Sequence, residues 1–267
     1  MDARNLRTLL FPLLAASAGQ DSGGPKDADL APLLRDLDEH GEEPVRFVLE
    51  RLEKVDLVLF DDGLHSAVEP FDFYAKLVKD PEFRRAADFV FLEAVAANQQ
   101  PHIDAYLASG EARDLLAAFR NDVSGTGGIG YRTYLDLLAA IRAANLTSPP
   151  EERLRVVAVS NPVDWDSIRT PADHARFLDS LANRDEDMYR AILGELDGFR
   201  SGKKGVFLTN TRHAYTGVRR ASGEFFWNTG TLDSGHSTKA RSTSSSTVFV
   251  SCSSISAPSS SSVRRSR

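Results

Sequence analysis

Val55-Asp56-Leu57-Val58-Leu59-Phe60 is a compact apolar run that ends directly in Asp61-Asp62-Gly63. A short apolar run closed by acidic residues and a glycine is typical of a buried strand with a tight exit turn. Three later apolar runs, at residues 89–92, 154–159 and 205–208, also pass directly into polar residues. The sequence therefore predicts four buried strands.

Helical patterns occupy the intervals between these runs. Apolar residues recur there at helical spacing. The predicted helices span residues 29–40, 43–54, 69–79, 102–107, 111–119, 131–145, 171–181 and 185–199. Strands that alternate with helices over this length indicate βαβ units. The predicted fold class is α/β, with a mainly parallel sheet and helices on both faces.

Length and composition predict a single domain followed by a tail. A chain of 267 residues suits one sizeable α/β domain, which we place at residues 29–230. From residue 231 the sequence is rich in Ser, Thr and Arg, so it buries too little apolar surface to order itself. We expect residues 231–267 to form a disordered low-complexity tail. Within it, Val248-Phe249-Val250 is a weak candidate for an edge strand.

The first 18 residues have features of a secretory signal peptide. Arg4 and Arg7 precede an apolar run at residues 9–16, and Ala16-Ser17-Ala18 has the small-x-small form of a cleavage site. This interpretation predicts export to the periplasm or the extracellular space. The alternative is an ordinary terminal helix, which would leave the protein in the cytoplasm.

Composition argues against several function classes. A formal net charge of -6 and no basic cluster before the tail argue against a nucleic-acid partner. Cys252 is the only cysteine, so neither an intrachain disulfide nor a thiolate metal site can form. The rest of the chain has no apolar stretch of membrane-spanning length, and no Gly-x-Ser-x-Gly elbow indicates a serine hydrolase. We expect a small-molecule substrate or ligand, and the oligomeric state is left open.

Reactive side chains follow the predicted strands. An open parallel sheet binds ligands in the crevice outside the carboxyl ends of its strands. The residues that follow the four predicted strands are Asp62 and His65, Glu93, Asn161 and Asp164, and His213. A histidine there suits a general base, a general acid or a metal ligand because its pKa lies near neutrality. A site is therefore predicted at this edge.

Two further features bear on this predicted site. Arg184 begins the helix before the last strand, where it either holds an anionic substrate group, orients Glu93 or is simply exposed. Residues 125–130 are glycine-rich but lack the Lys-Ser/Thr of a P-loop, so we interpret them as a flexible loop near the site mouth.

The order of these motifs resembles the erythromycin esterase-like superfamily, whose wider relatives include ChaN-type haem-binding proteins and the TraB/Tiki group. The matching residues are Asp62-x-x-His65, Phe91-Leu92-Glu93, Arg184-Asp185 with Met188, Asn210 to Ala214, and the segment 131–145. The resemblance covers roughly residues 45–230. Asp61-Asp62 stands where the family has Gly-Glu, which shortens the first carboxylate by one methylene.

The resemblance implies an esterase-like hydrolase acting on an ester or related acyl bond. His65 would activate water, Glu93 and His213 would be acid/base or orienting groups, and Arg184 would be their charge partner. Independently of the family, two histidines with carboxylates fit either this metal-free mechanism or a site for a divalent metal that lowers the pKa of water. We favour the metal-free version because no local His-Glu-x-x-His-like spacing is present.

Two competing functions remain open. The first is a ChaN-like haem or small-ligand carrier without turnover, in which Phe71, Phe73 and Tyr74 line an apolar pocket instead of joining the core. The second is a domain that kept the fold and lost the activity, because a fold does not dictate a function.

Overall fold

The computed structural model describes residues 27–62, 65, 67–122, 132–214, 221–224, 228–230 and 247–251. The predicted signal peptide, the glycine-rich loop at 125–130 and the predicted tail apart from 247–251 lie outside these residues. The chain divides into two compact units, Met1–Gly41 and Glu42–Arg267. The described part of the first unit is one helix, α1 (Asp27–His40).

The second unit contains the alternating strands and helices. The strands are β1 (Leu57–Asp61), β2 (Phe89–Ala96), β3 (Arg155–Ser160), β4 (Gly205–Thr209) and β5 (Thr247–Ser251). The helices are α2 (Pro44–Leu52), α3 (Val68–Lys79), α4 (Pro81–Ala86), α5 (Gln100–Ser109), α6 (Ala112–Arg120), α7 (Arg132–Thr147), α8 (Pro171–Ser180), α9 (Arg184–Leu193), α10 (Leu196–Arg200) and α11 (Thr211–Ala214).

The described strands form one parallel sheet in the order β3-β2-β4-β1-β5. This confirms the predicted α/β class. β4 lies between β1 and β2, with Leu57 and Phe89 both paired to Gly205. The fifth strand, β5, pairs with β1 at the position where the sequence offered a weak edge strand.

Helices cover both faces of the sheet, as the alternation of side chains along buried strands requires. On one face, Val58 and Phe60 of β1 join an apolar cluster built with helices α2 to α7. On the other, Leu57 and Leu59 of β1 join a second cluster with Met188 of α9 and parts of α10 and α11. The core therefore lies in two layers on either side of the sheet.

Several elements differ from the prediction. β2 continues through Glu93 to Ala96, so Glu93 lies inside the strand and not after it. The register between β2 and β3 shifts between Leu92 and Ala96, and β2 continues through the apolar residues Ala94-Val95-Ala96. The helix predicted at 185–199 is two helices separated at Gly194, where glycine disfavours helix continuation. The short helix α4 was not predicted.

Two amide side chains satisfy backbone groups along β3, which has no strand neighbour on its outer side among the described residues. Gln100 donates to the Val156 carbonyl at 2.9 Å and accepts from the Ala158 amide at 2.8 Å. Asn145 donates to the Leu154 carbonyl at 2.8 Å and accepts from the Leu154 amide at 2.9 Å. These bonds tie α5 and α7 to the edge of the sheet.

No helix in the described part of the chain is both long and apolar enough to cross a bilayer.

Replacing Asn145 should destabilise the fold. Asn145→Ala removes both bonds to Leu154 and leaves two backbone groups without their partner, so we expect a loss of about 2 kcal/mol in the free energy of unfolding. Urea unfolding followed by circular dichroism measures this loss. The control is Leu146→Ala, an exposed neighbour on the same helix, which should change stability much less. Equal losses in the two variants would contradict this role of Asn145.

Candidate active site

The predicted site residues from three neighbouring strands come together at the carboxyl edge of the sheet. Asp62 directly follows β1, Glu93 lies within β2 directly after the residues paired with β4, and His213 lies on α11 after β4. All three side chains are buried. Because β1, β4 and β2 are adjacent in the sheet, the fold brings these residues together across long stretches of sequence.

Asp62 and His65 form a hydrogen-bonded pair. The Nδ1 atom of His65 lies 2.7 Å from Oδ2 of Asp62. The hydroxyl of Tyr134 on α7 donates to the same oxygen at 2.8 Å and lies 3.0 Å from His65 Nδ1. The other carboxylate oxygen of Asp62, Oδ1, is buried and has no hydrogen-bond partner in the part of the chain that the structure describes. Asp62 therefore receives both of its side-chain contacts on one oxygen.

Glu93 and Arg184 form a buried ion pair. Arg184 Nη2 lies 2.7 Å from Glu93 Oε1. The other oxygen, Oε2, accepts from the Thr209 hydroxyl at 2.6 Å and from the Asn210 amide at 2.5 Å. Nη2 also donates to the Ser160 hydroxyl at 3.2 Å. Donors on both of its oxygens hold the Glu93 carboxylate, as a buried charge requires.

His213 connects this ion pair to a second carboxylate. Its Nε2 atom lies 3.1 Å from Arg184 Nη1 and 3.4 Å from Glu93 Oε1, and its Nδ1 atom lies 2.8 Å from Asp185 Oδ1. The amide and hydroxyl of Thr229 both donate to Asp185 Oδ1 at 2.9 Å. The segment at residues 228–230 thus anchors Asp185, which in turn orients His213.

These contacts assign the proton of each neutral histidine. Arg184 can only donate, so Nε2 of His213 accepts from it and the proton lies on Nδ1, directed at Asp185. A carboxylate only accepts, so the proton of His65 likewise lies on Nδ1, directed at Asp62. The lone pair of each neutral ring therefore lies on Nε2, and in His213 this nitrogen accepts from Arg184.

The electrostatics of the site follow from burial and these contacts. Burial alone would raise the pKa of Glu93, but the charges of Arg184 and His213 lower it to about 2. Burial raises the pKa of Asp62 in spite of its bond to His65. Burial would lower the pKa of His65, but the hydrogen bond and charge of Asp62 raise it above its ordinary value. Glu93 is therefore ionised at every ordinary pH.

The Asp62–His65 pair and the Glu93–Arg184 ion pair lie close enough for their charges to interact. The charge of Glu93 raises the pKa of His65, and that of Arg184 lowers it. Asp62 and His65 therefore share one electrostatic environment with the Glu93–Arg184 pair.

The structure leaves two of the six strand-end residues outside this cluster. Asn161 follows β3 and donates to Asp187 at 2.9 Å, while its buried Oδ1 has no hydrogen-bond partner among the described residues. Asp164 accepts from the Asp166 amide and caps a short turn, so its contacts are local. Tyr134, Ser160, Thr209 and Thr229 were not predicted as site residues. Of these, only Ser160 and Thr209 had a signal in the sequence, since each directly follows a predicted strand.

The described side chains can be tested for their ability to hold a metal ion or a haem. Among the described residues, no group of three or more His, Cys, Asp or Glu side chains is arranged to hold a metal ion. Phe71 and Tyr74 are buried in the apolar core, and Phe73 packs against it. These three aromatics therefore form part of the core and do not line an open apolar pocket for haem.

Comparisons with known proteins give no family. No protein-family model and no curated protein matches the chain. A solved chain described as bacterial protein toxins is 14% identical with a TM-score of 0.46, covering 76% of this chain and 37% of the other. RRSP, a MARTX toxin effector domain from Vibrio vulnificus CMCP6, is 17% identical with a TM-score of 0.46, covering 73% and 35%.

A third similar structure is ChaN of Campylobacter jejuni, described with cofacial haem binding. It is 12% identical with a TM-score of 0.45, and the match covers 81% of this chain and 88% of ChaN. The chain spans about a third of the length of the two toxin chains. Likenesses this weak assign neither a family nor an activity.

Glu93→Gln should destabilise the protein in a pH-dependent way. The pKa of Glu93 is lowered from 4.5 to about 2, so its contribution is complete above pH 4.5 and disappears as the pH falls through about 2. We expect Glu93→Gln to cost about 3 kcal/mol at pH 7. The cost should shrink as the pH falls from about 5 to about 2.

Urea unfolding at several pH values compares Glu93→Gln with the wild type. Glu69→Gln, which alters an exposed carboxylate, is the matched control and should show little loss at any pH. A cost for Glu93→Gln that stays the same from pH 7 to pH 3 would show that the lowered pKa of Glu93 is wrong.

Proposed function

We propose that this chain is a hydrolase that uses His65 to activate a water molecule for attack on an ester or related acyl bond. The observation that carries the proposal is the short Asp62–His65 contact, which places the proton of the neutral imidazole on Nδ1. The lone pair of Nε2 is then basic, and the raised pKa of His65 makes it a stronger base near neutral pH.

In this mechanism His65 is the catalytic base. Nε2 of His65 removes a proton from water while the water oxygen attacks the carbonyl carbon, and the imidazolium later returns the proton to the leaving group. Asp62 holds the ring and stabilises the imidazolium that forms. The buried position of Asp62 strengthens this interaction because the local dielectric is low.

Arg184 is the group best placed to stabilise negative charge in the reaction. Glu93, Ser160 and His213 account for the N–H groups on its Nε and Nη2 atoms and for one on Nη1. The second Nη1 hydrogen has no acceptor in the described part of the chain. A substrate oxyanion would supply one, and a guanidinium fixed in advance stabilises charge without having to reorganise.

Glu93 and His213 are orienting groups in this proposal. With a pKa of about 2, Glu93 carries no proton to donate near neutral pH. Nε2 of His213 is occupied by Arg184, so His213 holds the guanidinium and does not contact the reacting water. The order of the site motifs along the chain, which resembles the erythromycin esterase-like superfamily, supports the choice of an ester or related acyl substrate.

The alternative is a haem or small-ligand carrier without turnover. The Nδ1–H tautomer of His65 also suits a metal-binding Nε2, because such ligands commonly donate their other ring N–H to a carboxylate. The burial of Phe71 and Tyr74 in the core weighs against haem, since they cannot face it without unpacking.

His65→Ala should abolish hydrolysis in a screen of aryl esters, lactones and peptide esters. Removing a general base lowers kcat by about a thousandfold. His102→Ala, which removes an exposed histidine on α5, is the matched control and should retain full activity. Activity of the wild type should also survive EDTA.

Each other outcome of this screen has a distinct meaning. Loss of activity with EDTA would replace the metal-free mechanism with a metal-dependent one. No turnover by the wild type, together with a Soret band on adding haem that is lost in His65→Ala, would establish the carrier. No turnover and no spectral change would indicate a domain that has lost its activity.

The pH dependence of hydrolysis should reflect the Asp62–His65 pair. We expect kcat/KM to rise with pH through an apparent pKa above 6.5, because His65 acts only when deprotonated and Asp62 raises its pKa. Asp62→Asn removes that charge, so the apparent pKa should fall and kcat should drop about a hundredfold. Asp62→Glu keeps the charge and should keep the apparent pKa above that of Asp62→Asn. An unchanged pKa in Asp62→Asn would contradict this coupling.

A further inference from the structure

Two consecutive residues in the first turn of α7, Thr133 and Tyr134, donate hydrogen bonds to His65 and Asp62. The hydroxyl of Thr133 donates to the backbone carbonyl of His65 at 2.9 Å. The hydroxyl of Tyr134 donates to Asp62 Oδ2 at 2.8 Å, next to the His65 contact on the same oxygen. One residue thus holds the backbone of His65, and the next holds the carboxylate that orients its ring.

The hydrogen bond from Tyr134 helps to fix the position of the Asp62 carboxylate. Among the described residues Oδ1 of Asp62 is buried without a hydrogen-bond partner, and Oδ2 carries the side-chain bonds from Tyr134 and His65. Without the Tyr134 hydroxyl, His65 would be the remaining side-chain donor to the carboxylate within this described set. The ring of Tyr134 is fully buried and packs against Phe71 at 4.6 Å between ring centroids, so the hydroxyl is rigidly placed.

We propose that Thr133 and Tyr134 are positioning residues for the base of the proposed reaction, Thr133 through the backbone of His65 and Tyr134 through Asp62. The inference rests on the proposed function only in naming His65 as the base. Thr133 holds only the backbone of His65, and the Tyr134 hydroxyl lies 3.0 Å from Nδ1, the ring nitrogen opposite the reacting Nε2.

The two residues should act in different ways. Tyr134 is a permanent donor, because burial and the nearby Asp62 charge raise its pKa well above 10. Its hydrogen bond stabilises the Asp62 carboxylate and so competes with His65 for Oδ2. Without the Tyr134 hydroxyl, Oδ2 of Asp62 should bind the His65 imidazolium more strongly. The pKa of His65 should therefore rise. The bond from Thr133 to a carbonyl fixes position and changes no nearby charge.

The other charged groups around His65 stay in place in both variants. Among the described residues they include Asp62, Glu93 and Arg184, each of which shifts the pKa of His65. A pKa change seen in Tyr134→Phe and absent from Thr133→Val therefore follows the hydroxyl of Tyr134.

The experiment measures the pKa of His65 by NMR titration of the full chain, together with the pH profile of ester hydrolysis. Tyr134→Phe should raise the pKa of His65 and lower kcat/KM about tenfold at pH 6, with a smaller loss at pH 8. Thr133→Val should lower kcat/KM by a similar factor at both pH values and leave the pKa of His65 unchanged.

Two control variants separate these effects from a general loss of packing. Tyr106→Phe alters a buried tyrosine of the same apolar cluster, and Thr147→Val removes an exposed hydroxyl at the far end of α7. Both should match the wild type in the pKa of His65 and in activity.

An unchanged or lowered pKa of His65 in Tyr134→Phe would overturn the role of Tyr134. A shift in Thr133→Val as large as that in Tyr134→Phe would overturn the division between the two residues. The NMR titration needs no turnover, so a wild type that hydrolyses nothing would refute the proposed function, while the pKa of His65 would still test Tyr134.

Discussion

The charge of Glu93, buried inside a parallel strand, is the constraint on which the rest of the site depends. An ionised carboxylate in the core must be paired, and Arg184 on α9 provides the opposite charge at 2.7 Å. Arg184 in turn is held by Ser160 at the end of β3 and by His213 after β4. Each of these groups comes from a different element, so the ion pair fixes how the elements meet at the carboxyl edge of the sheet.

His65 and His213 each form a hydrogen bond to an aspartate through Nδ1, but their burial differs. Each directs Nδ1 at an aspartate, His65 at Asp62 and His213 at Asp185. His213 is almost fully buried, and its second nitrogen faces Arg184. The His65 side chain keeps 20% of its surface exposed. In the proposed reaction His65 is therefore the base, whereas His213 holds Arg184.

Much of the fold and part of the site could be predicted from the sequence, because both depend on local patterns. Short apolar runs ending in polar residues identified strands β1 to β4, and the geometry of a parallel sheet then brought Asp62, Glu93 and His213 to one edge. The sequence could not reveal Tyr134, since it lies 72 residues from Asp62 on a helix where a buried tyrosine resembles any core aromatic. Nor could it show that β2 continues through Glu93, because that depends on pairing with β3.

Thr229 is a second residue whose role in the site cannot be predicted from the sequence alone. Its amide and hydroxyl anchor Asp185, 44 residues away, from a segment of the chain with no strand or helix pattern of its own. Such contacts depend on the tertiary fold. Charge and burial at least indicate that a buried Glu93 needs a partner, which is why Arg184 was a candidate before the structure located it.

Aspartate carboxylates fix the tautomer of both histidines, and in the proposed reaction this makes Nε2 of His65 the base. Nitrogen NMR of the uniformly labelled full chain, above the pKa of His65, reports directly which ring nitrogen carries the proton. We expect the Nδ1–H tautomer for both His65 and His213. An Nε2–H tautomer of His65 would contradict this assignment, because the nitrogen assigned to activate water would then already hold a proton.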